Sequence, residues 1–93
     1  MNYNSDFLDK VYSLGETLTT IEEMAILLDV DEEELRDEIS CNDSQLRKSY
    51  LKGIISTKVR LRKNELDLAS AGSPTAVQMA LDYVLKVEEN MRQ

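Results

Sequence analysis

From Ser44 to Ala71 the chain runs without a proline and with a single glycine, Gly53. In this stretch Leu46, Tyr50, Ile54, Thr57, Leu61, Asn64, Leu68 and Ala71 follow one another at steps of 4, 4, 3, 4, 3, 4 and 3. That spacing draws one seam along a helix. A second stripe, Leu51, Ile55, Val59, Leu66 and Ala69, lies on another side. A helix apolar on two sides is packed on two sides, so this segment has to find neighbours in its own chain or in another copy. Gly53 costs about 1 kcal/mol in a helix interior compared with alanine, and it suits the close approach of a second helix.

The rest of the chain reads the same way. Its three glycines and one proline fall largely where helices end. Ser5 is placed to cap a first helix with Leu8, Val11 and Tyr12 on its apolar face and Phe7 beside them. Gly15 suits the left-handed position that closes it. Thr20 and Glu23 form a capping box for a second helix, Ile21 to Leu28. Asp29 tolerates a left-handed turn, and Val30 is expected to plug it. Asp31 and Glu34 form a second box, opening a third helix to about Ser40. Residues 41–44 are a polar break. Gly72, Ser73 and Pro74 then close the long helix and open a last one. There Val77, Ala80, Val84, Val87 and Met91 are spaced 3, 4, 3 and 4. So short a connection predicts an antiparallel hairpin. The fold class is all-α: a three-helix acidic head with a helix-turn-helix over 1–43, then a two-helix hairpin over 44–93 that serves as an oligomerisation element. The two parts can also pack as one domain.

Charge is divided along the chain. Residues 1–43 carry thirteen acids against Lys10 and Arg36. Residues 44–63 carry seven bases and no acid, and residues 64–93 five acids and two bases. The net charge is −7. Such asymmetry predicts charge-guided contact, within the chain or with a partner. A chain of 93 residues buries a modest core, and small chains add disulfides, metals or self-association. Cys41 is the one cysteine and histidine is absent, which excludes a disulfide within the chain and disfavours zinc. Without histidine to activate Cys41, the thiol reads as structural or incidental. The acids from Asp29 to Glu38 do not match a calcium loop, because Glu34 and Ser40 stand where its glycine and last carboxylate belong. No catalytic residue, cofactor site or metal site is expected, and the chain reads as no enzyme. Its N-terminus has no basic start followed by an apolar run, and no segment has the roughly 18 apolar residues of a membrane span. The expected location is cytoplasmic.

Two segments point toward nucleic acid. On the second helix Met24, Ala25 and Leu28 share a face, and Leu35 and Ile39 anchor the third. The pattern fits a helix-turn-helix, and equally an αα-corner that packs a core and reads nothing. The other segment is the run of Arg47, Lys48, Lys52, Lys58, Arg60, Arg62 and Lys63, placed away from the Leu46/Tyr50/Ile54 seam. These cations, with Arg36, are the candidate DNA-binding residues. They either neutralise phosphates, with the salt dependence that entails, or meet the acidic head of the same chain or a neighbour.

The order of these pieces resembles the small terminase subunits of tailed phages and related phage-like helix-turn-helix proteins. "TTIEEMAILLDV" looks like that family's T-x-x-E-I-A-x-x-L-G-V unit. Further on, Leu46, Tyr50, Gly53, Leu66, Ala69, Gly72, Pro74, Thr75 and Ala76 match a second stretch, F-x-x-A-Y-x-x-G followed by L-x-x-x-A-x-x-G-N-P-T-A. The likeness covers about residues 16–85. It implies binding of double-stranded DNA at a packaging start, a homo-oligomer, and delivery of DNA to the large terminase subunit. It also implies that the third helix enters the major groove. The chain departs from the pattern at Asp29, where the family has glycine. Its third helix offers Glu32, Glu33, Glu34, Asp37 and Glu38 against one Arg36. Five carboxylates repel a phosphate field, so the basic helix is expected to do much of any DNA binding. The alternative is a helical protein–protein interaction module with a degenerate helix-turn-helix that binds no DNA.

Overall fold

Each helix begins where the sequence supplies a cap. The computed structural model describes residues 3–92, and among them are five α-helices and no strand. α1 is Ser5–Glu16. Its cap is Asn4 rather than Ser5: Asn4 is extended, and its Oδ1 accepts from the Phe7 amide at 2.8 Å. α2 is Ile21–Leu28. Thr20 and Glu23 make both halves of the capping box, with Glu23 accepting from the Thr20 amide at 2.9 Å and Thr20 from the Glu23 amide at 3.1 Å. α3 is Glu32–Ser40, and Asp31 accepts from the Glu34 amide at 3.1 Å. α4 is Gln45–Ser70, opened by Ser44, whose hydroxyl accepts from the Arg47 amide at 3.2 Å. α5 is Pro74–Met91, capped by Ser73 after Gly72 turns the chain at φ 96°.

Two turns differ from the sequence expectation. Gly15 does not close α1 in a left-handed conformation. It stays helical and buried, and Leu18 takes the positive φ of 57° instead. The glycine is held in the helix because a neighbouring backbone needs its space. Val30 does not plug the α2–α3 turn, for it is 38% exposed. The backbone closes that turn by itself, with Asp29 left-handed at φ 57°, ψ 47° and the Val30 amide donating to the Ala25 carbonyl at 3.0 Å.

The chain divides into two compact units whose boundary lies inside α4, after Lys58. The first holds a real core. Val11, Met24, Ala25, Leu35, Ile39, Leu46 and Tyr50 are buried together, and Tyr3, Phe7, Leu14, Ile21, Leu28 and Ile54 pack against them. Val11, Met24 and Leu46 are fully enclosed, each worth about 1.5–3 kcal/mol of burial for side chains of that size. α1 and the first half of α4 cross at Gly15 and Gly53, where an added Cβ would overlap the facing backbone. Two hydroxyls fasten the same crossing: Tyr50 donates to the Thr19 carbonyl and Thr57 to the Glu16 carbonyl. The Glu16 carbonyl is one of those that a helix end leaves unpaired, and the Thr19 carbonyl lies in the connection between α1 and α2.

The second unit is different. Among its described residues Ala76 alone is buried, at 2%. The seam predicted along α4 is therefore covered only in part. Of that seam Leu46, Tyr50 and Thr57 are buried and Ile54 half-buried in the first unit, whereas Leu61 and Leu68 in the second are half exposed. No helix among the described residues is long and apolar enough to cross a membrane.

Candidate nucleic-acid interface

The α2–turn–α3 element is built from inside. Met24 and Ala25 on α2 and Leu35 and Ile39 on α3 turn inward and are buried. That burial sets which residues of α3 face out. Glu33, Glu34, Arg36 and Asp37 are exposed, and Glu32 and Glu38 half-buried. Arg36, the one base of this helix, is engaged by Glu32 one turn back, Nε to Oε2 at 3.1 Å. Both side chains are about half exposed, so water screens the pair and it adds little stability. It does leave the outer face of α3 with no uncompensated cation.

The cations of α4 fall into separate groups. Arg47 is taken up by the fold, its Nη1 donating to the Ile39 carbonyl at 2.7 Å. It thereby closes the C-terminal end of α3, where a cation also suits the helix dipole. Lys48, Lys52 and Lys58 are exposed. At about 100° per residue they lie on the side of α4 opposite the buried Leu46, Tyr50, Gly53 and Thr57. Leu51 and Ile55, 37% and 50% exposed, lie among them. In the second unit Arg60 and Lys63 are exposed. Arg62 is half-buried, its guanidinium carbon 5.7 Å from the centre of the Tyr83 ring. That stacking is of the kind worth about 0.5–1 kcal/mol at an exposed site. Among the described residues the one ion pair is Arg36–Glu32, so none of the α4 cations is neutralised by an acid.

Two tyrosines report the field around the core. Tyr50 has its pKa raised, first by burial and then by the charge of Glu23. Tyr3 is raised by burial, then by Glu38 and Glu34, and it stacks on Phe7 with ring centres 5.0 Å apart. Beside Phe7 the first unit has an open cleft of about 650 Å³ between α1 and the end of α2, floored by Leu14, Leu27 and Leu28 and edged by Asp9 and Lys10. No periodicity in the sequence marks it, because Leu27 lies off the buried face of α2. Among the described residues no group of three or more histidine, cysteine, aspartate or glutamate side chains is arranged to hold a metal ion.

No family model, no curated protein and no solved structure matches this chain.

Proposed function

We propose that this chain is a non-enzymatic DNA-binding protein of the small-terminase kind, acting as a homo-oligomer in the cytoplasm. In this reading the first three helices are a helix-turn-helix head, and the second half of α4 with α5 is an antiparallel hairpin. The large terminase subunit is the partner to which DNA is handed. The observation that carries the reading is the exposed, unneutralised lysine set Lys48, Lys52 and Lys58 on the outer side of α4. Cations that no carboxylate of the fold engages are available to phosphates. Arg60, Arg62 and Lys63 extend the basic run, while Arg36 is held by Glu32 and Arg47 by the Ile39 carbonyl. DNA contact therefore rests on α4 more than on the acidic outer face of α3.

The second reading is a protein-interaction module that binds no DNA. It draws on that same face, where Glu33, Glu34 and Asp37 are exposed and the only base is already paired.

Fluorescence anisotropy of a labelled mixed-sequence duplex, titrated from about 50 to 200 mM salt, separates the two. Binding that falls steeply with salt is the outcome of the DNA reading. An unchanged signal at the lowest salt would remove that reading and leave the module.

A further inference from the structure

The cleft between α1 and the end of α2 has no part in the proposed DNA contact. It is an open hollow of about 650 Å³. Leu27 on its wall is 65% exposed, and Phe7, Leu14 and Leu28 are half-buried. Ile26 and Leu18 are exposed too, but neither lines it. Concavity sets this apolar surface apart, because a side chain entering it is contacted on more than one side. From Phe7 to Thr17 the cleft follows α1 for about 15 Å, the length of roughly three turns of another helix. An amphipathic helix laid in such a groove buries apolar residues at i, i+3 or i+4, and i+7. A pocket for a small molecule encloses ~70–90% of its ligand, which an open hollow does not.

Charge gives the sign of the occupant. Residues 5–31, which form both walls, carry seven acids and one base, Lys10. None of the seven is in an ion pair, since the one ion pair among the described residues is Arg36–Glu32. Asp9 stands on the rim. At the Phe7 end, the stacked Tyr3 ring has its pKa raised by burial and then by Glu38 and Glu34, so acids of α3 bear on that end as well. A hollow with low-dielectric walls and charge mainly of one sign concentrates the opposite sign. It attracts a basic segment and repels DNA. The basic strip of α4 has the right sign, but the proposed function gives Lys48, Lys52 and Lys58 to phosphates. The cleft shares no residue with that strip, so a second protein can fill it while DNA is held.

We propose that the α1–α2 cleft is the docking groove for a basic amphipathic helix of a different protein. Apolar side chains on one face of that helix enter between Leu14 and Leu27, and a lysine or arginine on its flank meets Asp9. The choice of a different protein over a second copy rests on the DNA reading of α4. The shape and sign of the occupant do not.

Selection of binders to the full chain from a library of helical peptides tests it. The peptides are about 14 residues long, or ~20 Å as a helix. Apolar residues are fixed along one face, and lysine, glutamate, glutamine or alanine is varied at every other place. The selected peptides are expected to favour lysine over glutamate. In anisotropy titrations with a labelled selected peptide, Leu27→Lys should weaken binding ~30-fold or more, the loss of a central anchor. A cation in the last turn of α2 suits the helix dipole, so the circular dichroism should not change. Asp9→Lys on the rim should weaken binding several-fold. Asp43→Lys, the same charge change in the α3–α4 connection, should weaken it less. Selection of no peptide, or of peptides without a lysine preference, overturns the proposal. So does a Leu27→Lys variant that binds as the wild type does, or an Asp43→Lys variant as weak as Asp9→Lys. A peptide copying residues 47–59 of this chain that binds as tightly as the selected ones also overturns it, by making the occupant a second copy. Peptide binding without duplex binding would leave the groove standing and remove the DNA reading. Duplex binding with no peptide selected would do the reverse.

Discussion

Gly15 and Gly53 let α1 and α4 cross backbone to backbone. A Cβ on Gly15 would stand 3.2 Å from the Gly53 Cα and 3.1 Å from the Ile54 amide nitrogen, and would overlap the Tyr50 carbonyl. A Cβ on Gly53 would stand 2.8 Å from the Glu16 nitrogen and would overlap the Tyr12 carbonyl. Alanine at either site gains about 1 kcal/mol of helix propensity. Overpacking against backbone, which cannot swing aside as a side chain does, costs typically 1–3 kcal/mol and occasionally more. Gly53→Ala and Gly15→Ala are therefore expected to destabilise the first unit, read as a lower urea midpoint. A raised midpoint would mean that the helices separate freely.

Tyr50→Phe tests the fastening at the same crossing. It keeps the ring in the core and removes the hydroxyl that donates to the Thr19 carbonyl. A part-buried carbonyl left without its donor costs about 1–3 kcal/mol. Thermal melting should show the loss, and an unchanged melting temperature would mean that water replaces the hydroxyl there.

The same tyrosine sets an alkaline limit. Burial first, and Glu23 second, raise its pKa above the ordinary 10.0. The unfolded chain thus loses this proton more readily than the folded one. The stability it contributes is complete below pH 10.0 and is lost as pH rises through the higher folded value. Urea midpoints measured on either side of pH 10.0 should fall more steeply for the wild type than for Tyr50→Phe.

Leu18 offers a gain. It is 50% exposed and held at φ 57°, where Cβ crowds the following carbonyl oxygen at about 1–2 kcal/mol unless a short polar side chain offsets it by a local hydrogen bond. Asparagine tolerates that region. Leu18→Asn should raise stability by about 0.5–1 kcal/mol once its lost burial is set against the relief. A drop in melting temperature would show that Leu18 contributes packing its exposure does not reveal.

For DNA, the expected pattern is graded. Removing Lys48 and Lys52 together should weaken duplex binding regardless of sequence and lower the salt slope by about 1 per cation. Arg60→Ala and Arg62→Ala should act in the same direction. Arg36→Ala should change sequence preference only if α3 reads base edges. Equal slopes for wild type and the lysine variants would take α4 out of the contact.

Much of the fold was legible because its signals are local. The Thr20/Glu23 box, left-handed Asp29, the Asp31 and Ser73 caps and the Gly72 turn all follow from groups within four residues of one another, and the structure makes each of them. Asn4 and Ser5 compete over a single position, which local chemistry does not separate. For the candidate site, the sequence supplied the basic run but not its division. That Arg47 is spent on the Ile39 carbonyl and Arg36 on Glu32, leaving Lys48, Lys52 and Lys58 exposed, depends on where α3 ends against α4.

By itself, then, the sequence determined that this chain is helical, where α2, α3 and α5 begin, and which side of each is apolar. Those properties come from backbone hydrogen bonding and 3.6-residue periodicity, which act over a few residues. Tertiary structure decided the rest. Gly15 reads as a helix end until Gly53 is seen beside it. Thr57 reads as a weak member of a seam until its hydroxyl meets the Glu16 carbonyl. The apolar seam of α4 reads as continuous, yet it is buried at Thr57 and half exposed at Leu61. Periodicity gives the direction an apolar side chain faces, and only the packed chain shows whether anything lies there to cover it.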